Sequence, residues 1–145
     1  MSAGKNARLT ALKALLRVEE GKGYSKLVLD HGLAASGLDG RDAAFASALF
    51  YGVLERRITL DYQISRYSKM PLSQMAEPVK EILRLGFYQL LYMDKVPQSA
   101  AVNESVKLTR AVKKDKASGF VNGILRSFIR DGCPCRLPAE TADDY

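Results

Sequence analysis

The chain has 145 residues, a hydrophobic share of 47% and a formal net charge of +6, which is typical of a single domain with its own hydrophobic core. It contains no apolar run near the roughly eighteen residues that a membrane span needs, and its N-terminus lacks the pattern of a secretory signal. With only two cysteines, these features predict a cytoplasmic protein in a reducing compartment, without a membrane partner.

Apolar residues recur at helical spacing in the first half of the chain, and no stretch alternates like a strand. The face of a first helix consists of Leu9, Leu12, Leu15 and Leu16. Gly21 and Gly23 are expected to end this helix. The next helix is predicted from about Ser25 to Ala35, with these residues buried: Leu27, Val28, Leu33 and Ala34.

A long third helix is expected after Asp39, whose carboxylate would cap it by accepting backbone N–H bonds. Its buried stripe consists of Phe45, Leu49, Gly52 and Val53. The pattern predicts a bend or restart around Arg57 to Thr59. Beyond that point the apolar positions are Leu60, Ile64 and Tyr67. Pro71 ends this run, because the residue before a proline is pushed out of helical geometry.

Prolines also indicate where the later helices begin. Pro78 suits the first turn of a helix, where its missing N–H costs nothing. The apolar face of that helix consists of Val79, Ile82, Leu83, Gly86, Phe87 and Leu90. Pro97 opens a further helix, which runs through Val102 and Val106 to Thr109. The last helix has the widest stripe, made of Phe120, Val121, Ile124, Leu125, Phe128 and Ile129. Together these patterns predict an all-α bundle of about seven helices.

Small residues suggest places where helices approach closely. Gly119, Gly123 and Ser127 fall four residues apart on the last helix, and Gly86 lies inside its own helix. An interior glycine costs about 1 kcal/mol in helix propensity, so close packing is the expected reason for it. On this interpretation Gly123→Leu would destabilise the fold by about 1–3 kcal/mol through overpacking.

After Arg130 the sequence loses its helical period and becomes acidic. Residues 131–145 are interpreted as a linker, and residues 1–130 as the folded domain. A linker with nothing after it suggests a chain cut from a longer protein. Cys133 and Cys135 lie in this linker and are expected to be incidental free thiols, since two thiolates alone make a poor zinc site.

Residues typical of catalysis are scarce. His31 is the single histidine, and a nucleophile–base pair or a histidine-rich metal site would have to use it. A surface or helix-end histidine is the favoured interpretation. The sequence also lacks the glycine-rich loops that bind phosphates. We therefore expect no catalytic residue, no metal site and no cofactor in this chain.

Basic residues form the candidate binding surface. The first 130 residues contain 21 Lys and Arg against 12 Asp and Glu, an excess that attracts polyanions. The candidates on the first helix are Lys13 and Arg17, with Lys5 and Arg8 near its start. Those around the last helix are Lys113, Lys114, Lys116, Arg126 and Arg130, with Arg110 and Asn122 nearby. Arginines four residues apart can fork onto successive phosphates, although ordinary polar faces would give the same spacing.

Several ordered segments resemble the NusB family of RNA-binding helical domains. These are Glu81–Tyr92 (EILRLGFYQLLY), Val96–Leu108 (VPQSAAVNESVKL) and Gly119–Arg126 (GFVNGILR). Two more, Arg41–Phe45 (RDAAF) and Leu49–Arg56 (LFYGVLER), resemble the branch fused to RsmB (Sun, Fmu) type rRNA cytosine-C5 methyltransferases. The resemblance covers about residues 5–130.

The resemblance implies a NusB-like fold of about seven helices in two small subdomains. It further implies that the chain docks ribosomal RNA for a methyltransferase domain that follows it in the same polypeptide and binds S-adenosylmethionine. In that class the catalytic domain attacks cytosine with a cysteine, and Cys133 and Cys135 do not match that nucleophile.

Family RNA contacts are implied at the N-terminus and at the start of the last helix. The matching positions are Lys5, Arg8, Lys116 and Ser118. The chain departs from many free-standing members because it lacks their dense N-terminal arginine run. The motif residues expected to hold helices together are Asn103, Asn122, Gly86 and Gly123. Two alternatives stay open: a complete transcription antitermination factor, and a bundle whose basic face binds an acidic protein or its own catalytic domain.

Overall fold

A computed structural model describes residues 6–21 and 23–136 of the chain. This part contains seven α-helices, two short 3-10 turns and no strand, which confirms the predicted all-α fold. The helices are α1 (Ala7–Glu19), α2 (Ser25–Ser36), α3 (Gly40–Glu55), α4 (Arg57–Ser65), α5 (Glu77–Tyr92), α6 (Gln98–Ala111) and α7 (Ser118–Arg130). The 3-10 turns are Leu72–Gln74 and Asp115–Ala117.

The helices form two small groups around one main core, and Ala7, Leu38 and Ala46 form a second, small hydrophobic cluster. Helix α1 packs against α2 and α3, while α5 and α6 pack against α7 and α5 also contacts α4. Helix α5 joins the groups because it contacts α1 and α3 as well. Its side chains are buried around most of its circumference, as expected of a helix enclosed by neighbours.

An aromatic stack holds α7 against α5. The Phe87 and Phe128 rings are stacked, with their centroids 4.3 Å apart and their planes inclined by 28°. Tyr67, just beyond the end of α4, presents its ring to Phe128 at 5.4 Å in an edge-on arrangement. Both phenylalanines are fully buried, so the stripe predicted on the last helix is the surface that attaches α7 to the core.

Most helix boundaries follow the predicted signals, but α4 ends at Ser65, before Tyr67 and Pro71. Ala34, predicted to be buried, is exposed. Leu27, predicted to be buried, is 64% exposed, and Leu29 is buried in its place. The reason is that α2 contacts α1 and α3 along a narrow face. Asp39 occupies the N-cap position of α3 but its side chain makes no capping hydrogen bond, so the proposed carboxylate cap was wrong. Among the described helices, none is long and apolar enough to cross a membrane.

The glycine predictions divide in the same way. A Cβ at Gly86 would lie 2.9 Å from Leu125 Cδ2 and 3.1 Å from Ser105 Oγ, so this glycine does permit close packing. Gly119 and Gly123 are exposed, and a Cβ at either would meet nothing within 4 Å. The predicted overpacking by Gly123→Leu is therefore wrong, because this side of α7 faces away from the core.

Matched alanine substitutions should separate these two environments. Gly86→Ala is expected to lower the free energy of unfolding by about 1–3 kcal/mol, because Leu125 is fully buried and has little room to move. Gly123→Ala should raise it by roughly 0.5–1 kcal/mol through helix propensity. Urea denaturation of both variants measures the difference, and equal effects of the two substitutions would contradict this description of α7.

A buried ionic network joins α5 to α4 and α1. Arg84 is 6% exposed and donates to both carboxylate oxygens of Asp61, from Nε at 2.7 Å and from Nη2 at 2.8 Å. Its Nη1 donates to Glu81 Oε2 at 2.8 Å and lies 3.4 Å from Glu19 Oε1. Arg57 also pairs with Glu19. Burial lowers the pKa of Arg84, but its hydrogen bonds to Asp61 and the charge of Glu81 outweigh burial and raise it overall.

Residues 131–136 have no regular secondary structure but pack on the helices. Tyr67 donates to Asp131 Oδ2 at 2.9 Å, and the Gln63 side chain bonds both backbone groups of Arg136. Cys133 is half-buried against the core, and burial raises the pKa of its thiol. The start of the predicted linker is thus attached to the domain, while its remainder, residues 137–145, lies outside the described residues.

Candidate nucleic-acid interface

Arg8 is held inside the bundle. Its Nε donates to Gln89 Oε1 of α5 at 2.8 Å, and its guanidinium lies 5.0 Å from the centre of the Phe45 ring on α3. Burial lowers its pKa, an effect that the charge of Glu104 partly opposes. Both contacts join α1 to other helices, so this side chain serves the fold. Lys5 lies outside the described residues.

Lys13 and Arg17 are exposed on the opposite side of α1 from these contacts. With His31 they line a cavity between α1 and α2. His31 is exposed, as its surface interpretation predicted. In the described part of the chain, no three His, Cys, Asp or Glu side chains are grouped closely enough to hold a metal ion.

Three lysines project from the connection between α6 and α7, here called the lysine loop: Lys113, Lys114 and Lys116. Lys113 has a φ of 60°, the left-handed conformation that commonly ends a helix. The Lys114 amide then donates to the Thr109 carbonyl at 2.7 Å. All three side chains are exposed, and none forms an ion pair with a described residue. They line an open groove of about 660 Å³ whose apolar side includes Ala76 and Val79.

Ser118 fixes the first turn of α7. Its hydroxyl lies 2.7 Å from Thr109 Oγ1, so the end of α6 and the start of α7 are bonded together. Ala117, at the N-cap position of α7, has no side chain that could cap the helix. The Ala117 and Ser118 amides donate to the Lys114 and Asp115 carbonyls, so the 3-10 turn leads directly into α7. The dipole of α7 adds positive potential next to the lysine loop.

Two arginines, Arg126 and Arg130, occupy exposed positions further along α7. Arg126 Nε donates to Asn122 Oδ1 at 3.0 Å, and Arg130 Nη2 donates to Ser127 Oγ at 3.0 Å. Both guanidinium groups retain further donors. They make no ion pair with a described residue, so their charges remain available to a ligand.

A shallow groove between α6 and α7 adds Lys107, which the sequence analysis did not select, and brings it together with Asn103, Arg110 and Asn122. Asn103, Lys107 and Arg110 line it from α6, and Asn122 lines it from α7. Lys107 pairs weakly with Glu104 at 3.3 Å. The expectation that Asn103, Asn122 and Gly123 hold helices together is wrong, because Asn103 and Gly123 are exposed and Asn122 bonds only its own helix. The position of Asn103 opposite the buried residues of α6 could have revealed this.

The predicted binding residues thus fall into three sets. The lysine loop and Ser118 lie at the start of α7, and Arg126 and Arg130 lie further along the same helix. With the residues of the groove between α6 and α7, they are here called the α6–α7 surface; the groove residues are Asn103, Lys107, Arg110 and Asn122. Lys13 and Arg17 lie at the α1–α2 cavity, and Arg8 is engaged within the bundle.

Comparison with known proteins gives a consistent family. The model of the NusB family matches residues 5–130. A probable ribosomal RNA small subunit methyltransferase B of Bacillus subtilis (strain 168) is 35% identical over 89% of this chain and 29% of its own length. The transcription antitermination protein NusB of Bacillus velezensis is 33% identical over 88% of this chain and 95% of its own length.

The chain therefore spans about three tenths of the length of the methyltransferases that it matches. Among solved structures, a chain from a crystal structure of antitermination factors NusB and NusE with dsRNA superposes with a TM-score of 0.78. The two chains are 21% identical, and the match covers 88% of this chain and 96% of the other. This likeness concerns the fold.

Proposed function

The chain belongs to the NusB family, and we propose that it docks ribosomal RNA for an rRNA cytosine-C5 methyltransferase domain in the same polypeptide. The match to the probable methyltransferase B supports this proposal, because this chain, which matches the NusB family model over residues 5–130, covers only 29% of that longer protein. In this proposal the chain has no catalytic role. S-adenosylmethionine and the reacting cysteine belong to the following domain, and the protein acts in the cytoplasm.

The lysine loop carries the proposal. Three exposed ammonium groups lie within four residues, and Asp115 is the only acid among them. They stand beside the start of α7, where the helix dipole favours an anion. A polyanion with closely spaced charges binds most favourably to such a site, because each phosphate contact releases condensed counterions.

The rest of the α6–α7 surface extends this contact along the RNA. Arg126 and Arg130 lie four residues apart and so occupy the same side of α7 in successive turns. Lys107 and Arg110 supply charge from α6. Asn103 has no hydrogen-bond partner among the described residues, so its amide is available to a base edge or a ribose hydroxyl.

Neutralising the lysine loop should weaken RNA binding without unfolding the domain. In a triple variant with Lys113, Lys114 and Lys116 each replaced by Gln, we expect affinity for a small-subunit rRNA fragment to fall roughly tenfold to hundredfold at low salt. The thermal midpoint should stay nearly unchanged, since these side chains are exposed. Fluorescence anisotropy and thermal melting measure the two effects.

A charge-matched control replaces Lys26, Arg41 and Arg66, which are exposed elsewhere, by Gln. It should retain most of the affinity of the parent chain. An equal loss of RNA affinity in both triple variants would mean that net charge alone explains the effect. That result would contradict the proposed interface. No RNA affinity in the parent chain, together with tight binding to the separate methyltransferase domain, would instead identify a protein-docking bundle.

A free-standing antitermination factor is the second candidate function. It is favoured by the match to the Bacillus velezensis NusB, which extends over 95% of that protein. The reading frame beyond Tyr145 separates the two candidates. Several hundred further codons with a methyltransferase pattern support RNA docking for the enzyme, whereas a stop codon supports the antitermination factor.

A further inference from the structure

A second concave site lies between α1 and α2, on the side of α1 that faces away from Arg8. It encloses about 300 Å³, the lower end of the size typical of small-molecule pockets. Its walls are mainly apolar, with Leu9 and Ala14 on α1 and Val28 and Ala35 on α2. None of its lining residues belongs to the α6–α7 surface.

Two positive side chains of α1 and the imidazole ring of α2 line this cavity. Lys13 and Arg17 are one turn apart on α1, and His31 faces them from α2. The structure shows no ion pair or hydrogen bond from these three side chains to any described residue. Asp30 lines the adjoining groove and is paired with Lys26 at 2.8 Å. Two unpaired cations on an apolar cavity favour an anion that also has an apolar body.

Polar groups at the other end of the cavity indicate that the apolar part of the ligand also carries hydrogen-bonding groups. Asn6 Oδ1 accepts from the Leu9 amide at 3.1 Å, which leaves the Asn6 side-chain N–H donors without a described partner. Thr10 Oγ1 lies 3.1 Å from the Asn6 carbonyl oxygen and 2.9 Å from Ser36 Oγ, and both hydroxyl-bearing residues line the cavity. Asn6 and Lys13 are separated by about 10 Å along the helix axis. A ligand that spans them has an anionic end and a hydrogen-bonding end.

We propose that the α1–α2 cavity binds a phosphorylated nucleoside. Lys13 and Arg17 hold the phosphate, the apolar walls and the His31 ring contact the faces of the base, and the Asn6 amide donates to its polar edge. Imidazole rings stack on unpaired bases, and cations on flexible stems suit phosphate. The same chemistry describes a free mononucleotide and an unstacked nucleotide of an RNA strand. The site is additional to the RNA contact proposed for the α6–α7 surface.

Titration of the 15N-labelled chain with CMP, UMP, AMP and GMP tests this site by NMR. We expect amide shifts confined to α1 and α2, with affinity for at least one nucleotide about tenfold or more above that for inorganic phosphate or the matching unphosphorylated nucleoside. Replacing Lys13 and Arg17 together by Gln should weaken binding about tenfold or more. Ala35→Trp, which fills the cavity from an exposed position, should abolish binding.

Two controls keep this result separate from RNA docking. A double variant with Gln at Arg41 and Arg66 should bind nucleotides like the parent chain, and the lysine-loop variant should also keep its α1–α2 shifts. A short single-stranded RNA that binds this cavity more tightly than mononucleotides identifies the strand as the source, and the reverse order identifies a free nucleotide. Shifts confined to the lysine loop, or inorganic phosphate bound as tightly as any nucleotide, would overturn the proposal.

Discussion

Replacing Arg84 by Met is expected to lower the free energy of unfolding by about 3–5 kcal/mol. The substitution keeps much of the side-chain volume but removes every charged hydrogen bond from Asp61 and Glu81. Glu81 is 1% exposed, and its Oε1 already has no hydrogen-bond partner among the described residues. Without Arg84 its carboxylate would be a buried charge with little compensation. Urea denaturation at neutral pH measures the loss.

The decrease in the free energy of unfolding caused by Arg84→Met should become smaller as the pH falls. Burial raises the pKa of Glu81, and the charge of Arg84 opposes this increase, so the variant raises that pKa further. A carboxyl whose folded-state pKa is raised favours the folded state when protonated, and this contribution is lost as the pH rises through that pKa. The difference from the parent chain should therefore narrow between neutral pH and the ordinary titration range of glutamate.

The exposed Arg41→Met provides the control for this substitution, with an expected change within about 0.5 kcal/mol. A loss below about 1 kcal/mol in Arg84→Met, or one independent of pH, would mean that the network contributes little to the stability of the fold.

Phe128→Ala is expected to destabilise the domain by about 3–5 kcal/mol. Phe128 is fully buried between the Phe87 and Tyr67 rings, so truncation removes both aromatic contacts and leaves a cavity. Because this stack attaches α7 to α5, the substitution should also loosen the support of the α6–α7 surface. Chemical denaturation measures the stability change, and hydrogen exchange of the α7 amides measures the loosening.

Phe120→Ala is the matched control on the same helix. Phe120 is only half-buried at the start of α7. Its replacement by Ala should therefore lower the free energy of unfolding distinctly less than Phe128→Ala does. Equal losses at the two positions would contradict the assignment of Phe128 to the centre of the core.

The helices could be predicted because apolar spacing and prolines act locally. Pro78 lies in the first turn of α5 and Pro97 at the N-cap of α6, as their fixed φ angles require. The prediction for Gly119 and Gly123 is wrong because the four-residue spacing does not say which side of the helix the glycines occupy. On a helix of 3.6 residues per turn they lie roughly opposite Val121 and Phe128, which are the buried positions.

The candidate site was predictable only in part, for a related reason. The lysine loop could be predicted as a binding candidate because its exposed side chains depend on no partner elsewhere in the chain. Arg8 could not be assigned to the interior, since its partner Gln89 is 81 residues away in sequence. The α1–α2 cavity was equally hidden, because it depends on how two helices pack and not on a pattern within either one.

The salt dependence of RNA binding by the parent chain tests the central claim most directly. If the lysine loop and α7 contact phosphates, the logarithm of the association constant should fall linearly and steeply with the logarithm of salt concentration. The slope should become shallower by about 2 when the lysine loop is neutralised, since roughly 0.7 of a counterion is released per contact to a single strand. Affinity that stays constant across the salt series, or an unchanged slope in the variant, would contradict RNA docking by this surface.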